Sequence, residues 1–231
     1  MKFLIAIVII IVGAILTMPW LKQHLPAEYN PFTPLAVTDP PNFITRYKLH
    51  RLATDPQACL ALMAHARDAG LVSFSRPGSI GGQCPLQDPL SIQRFGDVQL
   101  NSRFLASCPL AVSSLMFVLQ LKQNGGGALS SPLARIEHLG SYACRNIYHR
   151  AQGRLSEHAT ADAWDIAEFQ LKNGQRISVL DHWQQPAEKA AWLHRRFLES
   201  CRYFGNSLGP DYNAAHASHF HFGMRGFGVC R

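Results

Sequence analysis

Charge is scarce in this chain, local cysteine pairs are missing, and the glycine signatures of nucleotide enzymes do not occur. Only 16% of the 231 residues are Asp, Glu, Lys or Arg, which excludes long disorder or a coiled coil as the main architecture. There is no P-loop and no dinucleotide-binding glycine fingerprint. Nor is there a G-x-S-x-G turn, and adjacent residues do not face each other, so Asp181-His182-Trp183 does not read as part of a Ser–His–Asp system. No internal repeat is found. Basic residues are scattered rather than arrayed with aromatics, which argues against a nucleic-acid partner. Still, 22 Lys plus Arg against 15 Asp plus Glu gives a formal charge of +7. That balance favours contact with a polyanion, such as an anionic membrane surface or an acidic wall polymer.

Charge is absent altogether from Phe3 to Leu21. As a helix these residues span about 28 Å, close to the roughly 30 Å hydrocarbon core of a bilayer. The Thr-Met-Pro-Trp after Leu16 offers no small-residue cleavage site, and Trp20 and Lys22 suit a membrane–water interface. Residues 1–21 therefore read as an uncleaved transmembrane signal anchor, the alternative being a cleaved signal. Lys2 favours an inside N-terminus, but Lys22, Arg46, Lys48 and Arg51 lie beyond the span, so the positive-inside count leaves orientation open. All six cysteines follow the anchor and none forms C-x-x-C. An even count in that position reads as three disulfides in an oxidising space, as opposed to six buried thiols in a cytosolic domain. The expected setting is the inner membrane, single-pass, with the domain in the periplasm. Sequence leaves 15 pairings open; Cys59–Cys84 and Cys201–Cys230 are the two expected here, the latter tying the third helix to the strand after the histidines.

Residues 22–45 hold five prolines and little periodicity, which predicts an extended spacer that lifts a domain at 46–231 off the membrane. A helix follows, capped by Thr54 or Asp55, with Pro56 in its first turn, Leu60 and Met63 or Ala64 on one face, and Gly70 at its end. Val72–Leu100 is broken by Gly and Pro into short strands and turns. Pro109–Lys122 is a strongly apolar helix stopped by Asn124-Gly125-Gly126-Gly127. Arg135–Leu139 is a short strand. AWDIAEFQL and QRISVL flank Asn173-Gly174, the pair that a type I′ hairpin demands. Pro186–Tyr203 is a third helix with Ala190, Leu193, Phe197 and Leu198 on one side, and Ser218–Met224 alternates as a strand. The fold class is α+β, a small antiparallel sheet with helices packed on one side.

Eleven histidines occur, three of them within His216–His221. Isolated ones such as His65, His138 and His194 read as surface or packing residues. In a strand, His219 and His221 project from one face, and two imidazoles side by side call for a metal or a carboxylate. Upstream, a loop carrying His158 before a strand carrying Asp165 brings a second imidazole and a carboxylate together. On its strand Asp165 shares a side with Ala163, Ala167 and Phe169 and must be paired, hydrogen-bonded or ligated. Two His and one Asp with a position left open form a catalytic zinc set.

Ser156-x-His158-x-x-Ala161-x-Ala163-x-Asp165 resembles the S-x-H-x-x-G-x-A-x-D motif of the peptidase group that holds D-Ala-D-Ala carboxypeptidases, Hedgehog-type domains and murein endopeptidases. His216-x-x-His219-x-His221 is similar to the closing motif of the penicillin-insensitive murein endopeptidases. A closer resemblance is to the bacterial extensin-like C-terminal domain family. It is carried by Gly140-Ser141-Tyr142-Ala143-Cys144-Arg145, Leu155-Ser156-Glu157-His158-Ala159, Asp165-Ile166-Ala167-x-Phe169, Leu208-Gly209-Pro210, His219-Phe220-His221 and Cys230-Arg231. The resemblance implies zinc held by His158, Asp165 and His221, His219 in the place of the catalytic base, His216 as a further polar group lining the site, and peptidoglycan peptide as substrate.

Arg145 is the candidate for oxyanion stabilisation, with a structural salt bridge as the alternative. Ser156 either bonds the metal shell or caps its turn. Glu157 and Asp162 read as solvated loop residues. The motif glycine is replaced by Ala161, which is expected in an ordinary backbone region. Two functions stay in view: a membrane-anchored zinc peptidase, and a non-catalytic wall-binding or structural domain that keeps the fold. A regulatory zinc module is a third.

Overall fold

A computed structural model describes residues 2–123, 129, 131–226 and 228–231. Helix α1 runs Lys2–His24, three residues past the expected end of the span, with Lys22 and His24 in its last turn. Its mean hydropathy of 2.7 and its length make it compatible with a single-pass membrane anchor. Helix α2 is Phe43–Leu52 and α3 is Pro56–Asp68. Of the two candidate caps it is Asp55 that accepts from the Ala58 N–H (3.0 Å), while Pro56 opens the helix without losing a needed donor. The buried stripe of α3 is Cys59, Met63 and Ala66, a spacing of four and three residues.

The sheet is larger than the sequence suggests. Its strands are β1 (Ser73–Ser75), β2 (Leu90–Phe95), β3 (Val98–Ala106), β4 (Leu133–Gly140), β5 (Ala163–Leu171), β6 (Arg176–Ser178), β7 (Asn206–Leu208), β8 (Phe220–Gly223) and β9 (Val229–Cys230). The order is β1-β2-β3-β4-β5-β8-β7-β9, with β6 also paired to β5. Most pairs are antiparallel, but β3–β4 and β7–β9 are parallel. A parallel pair needs a crossover, and helix α4 (Cys108–Gln123) supplies it between β3 and β4. Ten residues of α4 are buried, Leu110 to Val118 and Leu121, as befits a helix that packs at once against α2, α3, β2 and β3. The expected stop of this helix at 124–127 lies outside the described residues. The short helix α5 (Val179–His182) leads into α6 (Ala187–Ser200), which buries Ala190, Leu193 and Phe197. Leu198, expected on the same side, is 63% exposed, because it lies 100° around the helix from Phe197.

One core face of the sheet carries the large rings. Trp164 on β5 stacks on Phe104 of β3 (4.8 Å), and Phe222 of β8 packs on Phe117 of α4 (5.2 Å). Bulges adjust this face. Ile166 pairs with His138 and Glu168 with Glu137, which leaves Ala167 as one extra residue on β5. Phe169 thereby joins Phe220 in the core (6.3 Å) and leaves the side of Asp165, where strict alternation placed it. The turn from β5 to β6 also differs from type I′, which requires φ > 0 at both central residues. Here only Gly174 has positive φ (85°). Gly174 N–H bonds the Leu171 carbonyl (2.9 Å) and Leu171 N–H bonds Gln175 (2.9 Å), a three-residue loop in which Gly174 is the left-handed residue.

The Pro-rich segment does not hang as an extended spacer. Leu35 and Val37 are buried in the core cluster, and Lys48, only 5% exposed, gathers the segment. Its ammonium donates to the Ala27 carbonyl (2.8 Å) and the Thr33 hydroxyl (3.1 Å) and faces Asp39 at 3.7 Å. A buried ammonium must be paired in this way.

All six cysteines are paired. Cys201–Cys230 forms as expected. Cys59–Cys84 does not: Cys59, on α3, bonds Cys108 at the start of α4, and Cys84 bonds Cys144. Proximity in sequence misleads here, because the packing of α3 on α4 decides the first pair. The Cys84–Cys144 bridge spans 60 residues, for which chain entropy predicts a contribution of about 4 kcal/mol. Replacing both by Ala should lower stability by about 2–4 kcal/mol in a denaturant melt, and a loss under about 1 kcal/mol would contradict the pairing.

Candidate metal centre

Asp165 and His221 are directly opposite each other on β5 and β8, so their side chains leave the sheet on one face. His221 Nδ1 donates to Asp165 Oδ1 at 2.9 Å. His158 arrives from the other direction, in the 3₁₀ turn Glu157–Thr160 that precedes β5. The loop-then-strand arrangement read from the sequence is what folds. Ser156 resolves as a cap: its hydroxyl accepts from the His158 N–H (3.4 Å).

The turn closes on Ala161, and the expectation of an ordinary backbone there is overturned. Ala161 has φ 52° and ψ 35°, a left-handed residue with its methyl fully buried. Three contacts hold it there. Its N–H bonds His158 (3.2 Å), its carbonyl accepts from Ser107 at the head of α4 (2.8 Å), and Asp162 N–H returns to Glu157 (3.0 Å). The strained conformation is thus fixed from both sides, and His158 keeps its place without the glycine.

His158 Nδ1 lies 2.7 Å from the carbonyl oxygen of Ser141. A carbonyl only accepts, so Nδ1 carries the proton. The other ring nitrogen, Nε2, faces Asp165 Oδ2 at 3.1 Å. A proton on that nitrogen or a cation between the two atoms joins them. Ligating atoms of His158, Asp165 and His221 all fall within 4.8 Å of one another, and all three residues are buried. Atoms bound to one ion at 2.0–2.2 Å lie about 3.3–3.5 Å apart, so the group needs little movement to close on a metal. Two imidazoles, one carboxylate and a carbonyl that orients one ring make a donor set that fits a metal ion.

Glu157, expected in solvent, is part of this centre. Its carboxylate takes the Arg225 N–H (2.7 Å) and the Asn206 side-chain amide (2.9 Å) and faces His221 Nε2 at 3.5 Å. Gly223 makes room for it, since a Cβ there would sit 2.5 Å from Glu157 Oε2. No local pattern reveals this role, because Asn206, Gly223 and Arg225 lie 49 or more residues away. Asp162 is half-buried, accepting from the Thr160 hydroxyl (2.6 Å).

His219 stands in a bend just before β8, not within a strand, and its Nε2 still comes to 3.7 Å from Asp165 Oδ2. His216 packs on His219 (5.5 Å) and His221 (5.7 Å). Arg145 is half-buried and close enough for its charge to act on His219; it makes none of the ion pairs found among the described residues. His158, His219 and His221 thus meet at Asp165, with His216 packed against two of them. His138, by contrast, is a core histidine: Nε2 donates to the Ser102 carbonyl (2.9 Å) and Nδ1 accepts from Gly140 (3.0 Å).

Burial opposes the charges of this centre, but mutual pairing outweighs it. Desolvation raises Asp165, yet hydrogen bonds from His158 and His221 hold its carboxyl well below the usual range. Burial likewise raises Glu157, and the bond to His221 with the Arg225 N–H brings it below its ordinary value. Burial lowers His221, and Asp165 and Glu157 together carry it up to about 9.

The fold and site define a disulfide-bonded α+β domain built around a buried His–Asp–His group able to hold a metal. Residues 57–231 match the family described as Extensin-like protein C-terminus, and the chain belongs to that family. No curated protein and no solved structure matches it.

Two measurements check this geometry. For Ala161→Gly, relief of about 1–2 kcal/mol of left-handed strain is offset by about 0.8 for the buried methyl and about 0.4–1 for the looser unfolded chain. Stability should therefore change by less than about 1 kcal/mol, whereas Ala161→Val, β-branched in the same conformation, should cost about 2 kcal/mol or more. Equal melts for the two variants would contradict the left-handed assignment. The second test is pH. The raised value of His221 contributes stability present below its ordinary 6.5 and lost as pH rises through about 9. The lowered carboxylates contribute above their usual values near 4 and lose it as pH falls. Histidines held below their ordinary 6.5, His138, His216 and His219, lose their contribution as pH falls below that value, so the metal-free protein should be most stable near pH 6–7 and its Tm should fall toward pH 9. His221→Gln should flatten that fall, and a fall unchanged in this variant would rule out His221 as its source.

Proposed function

We propose that the protein is a membrane-anchored, zinc-dependent peptidase at the periplasmic face, cleaving peptide cross-links of peptidoglycan. The observation that carries the reading is the buried meeting of His158, Asp165 and His221, whose ligating atoms lie within 4.8 Å of one another, with His158 Nε2 3.1 Å from Asp165 Oδ2. His158, Asp165 and His221 would hold the ion. Two imidazoles with one carboxylate suit zinc better than magnesium or calcium, which prefer oxygen-only sets. Zinc, when bound, supplies a Lewis acid for a carbonyl and lowers the pKa of water toward 7.

The chain's own residues supply the rest. Burial, followed by the positive charges of His221, His158 and Arg145, holds His219 below the usual histidine value against the pull of Asp165. His219 is therefore neutral at pH 7 and able to take a proton at Nε2 and return it to a leaving amine. His216 is pushed to about 4 by burial and by its neighbours His221 and His219. Its Nδ1 donates to Asn213 Oδ1 (2.8 Å), so Nε2 is left as the acceptor of the ring. Arg145 brings a positive charge that no carboxylate pairs with among the described residues, as stabilisation of an oxyanion requires. The choice of peptidoglycan rests on the motif resemblance, on the compartment implied by α1 and three disulfides, and on a +7 chain meeting an acidic polymer.

Purified full-length protein should carry about one zinc per chain and release peptides from sacculi. His158→Ala and His221→Ala should lose the metal. His219→Ala should keep it and lose about 10²–10⁴-fold in turnover. Zinc-loaded protein that leaves sacculi intact would favour the non-catalytic wall-binding reading, and failure to bind zinc at neutral pH would remove the enzyme reading.

A further inference from the structure

We propose that the outward face of α2 is a membrane-docking surface, which lays the domain against an anionic bilayer. The proposal rests on α1 as a membrane span and is independent of the chemistry at Asp165.

The inward side of α2 is accounted for by Ile44, Thr45, Lys48, Leu49 and Leu52, all buried. At 100° per residue the opposite side reads, in order around the helix, Arg46, His50, Phe43, Tyr47, Arg51. Two aromatic rings thus run along the middle of the exposed face with cations on both flanks, and the helix contains no acidic residue. Phe43 is 77% exposed and Tyr47 50%. The Arg51 guanidinium lies over the Tyr47 ring at 5.9 Å. Neither Arg46 nor Arg51 forms an ion pair among the described residues. Aromatics beside cations on one face are the make-up of a helix that lies in a lipid interface.

Position selects lipid over a protein partner. Lys48, on the inward side, bonds the carbonyl of Ala27 at 2.8 Å, and Ala27 is three residues beyond His24, where α1 ends. Asn42, the cap of α2, holds the Glu28 carbonyl at 3.0 Å. The helix is therefore clasped to the chain as it leaves the span, within reach of the headgroup layer. Trp20, Tyr29 and Phe32, 49–60% exposed, continue the aromatic series that marks a membrane–water boundary. Arg51 also borders a groove of about 500 Å³ lined by Phe32, Leu35 and Leu62, an apolar recess beside a headgroup-binding cation.

The test uses full-length protein in nanodiscs of phosphatidylcholine alone or with phosphatidylglycerol, with brominated lipid as quencher. In the unmodified protein, quenching of the exposed Trp20 reports insertion of α1. Phe43→Trp in a Trp20→Phe background reports docking of α2, and Leu198→Trp in the same background serves as an exposed control on α6. The indole introduced by Phe43→Trp should be quenched well beyond the control in the anionic discs and less in phosphatidylcholine. Each cation near an anionic surface is worth about fivefold in partitioning, so reversing two with Arg46→Glu and Arg51→Glu should weaken docking by at least about 25-fold. Quenching of Trp20 in the unmodified protein, with none at position 43 in the Phe43→Trp variant, would overturn the proposal, as would equal quenching at position 43 in both lipids. An emission from the Phe43→Trp variant that shifts to the blue with protein concentration, unquenched by lipid, would assign the face to a second copy instead.

Discussion

Asp165 is a carboxylate carried into the interior on the strand that β4, β6 and β8 all pair with, and everything near it is arranged to keep it charged. Burial alone would neutralise it. Three histidines on two separate stretches of chain converge on its two oxygens, and the carbonyl of Ser141 and the carboxylate of Glu157 set the orientation of two of them. The main sheet register makes this possible: a slip of one residue between β5 and β8 would turn His221 into the aromatic core and Phe222 out of it. The hydrophobic packing of Trp164 and Phe222 on the other face therefore specifies the polar geometry on this one.

The supports of the centre reach across the whole domain. The Cys84–Cys144 bridge ends one residue before Arg145, Ala161 is pinned by the head of α4, and Glu157 is held by residues 206 and 225. Such a scaffold positions its side chains through elements that are themselves locked, which is the condition for a preorganised site. The stretch that matches the Extensin-like C-terminus family, residues 57–231, contains every one of these supports.

What was legible in the sequence is what local chemistry controls. The apolar run of α1, the proline-opened start of α3, the apolar length of α4 and the strand pair around Asn173-Gly174 each declare themselves within a short stretch of chain. His158, Asp165 and His221 could be read because motif spacing carries them. What escaped is set by distant contacts. Glu157 looks solvated until Asn206, Gly223 and Arg225 arrive; Phe169 changes side only because β5 gains a residue against β4; the Asn-Gly turn is shifted by one position within its loop. Cys59 chooses Cys108 over the nearer Cys84 because helix packing, not loop length, brings the sulfurs together. The Pro-rich segment reads as extended for the same reason, since Lys48, which folds it back, follows it in the chain.

The separation of the donors along the chain has a consequence for how the protein is made. His158 and Asp165 are only seven residues apart, but His221 follows Asp165 by 56, and β8 is seated between β5 and β7. Loop closure of that length is entropically costly and is repaid only when the sheet assembles. A nascent chain that has produced Asp165 therefore has no donor set to offer, and a metal taken up early would find two ligands on an unfolded segment. An ion held by this group would therefore be captured as one of the last events of folding, in whatever compartment the finished sheet closes, and its presence would report completed assembly rather than guide it.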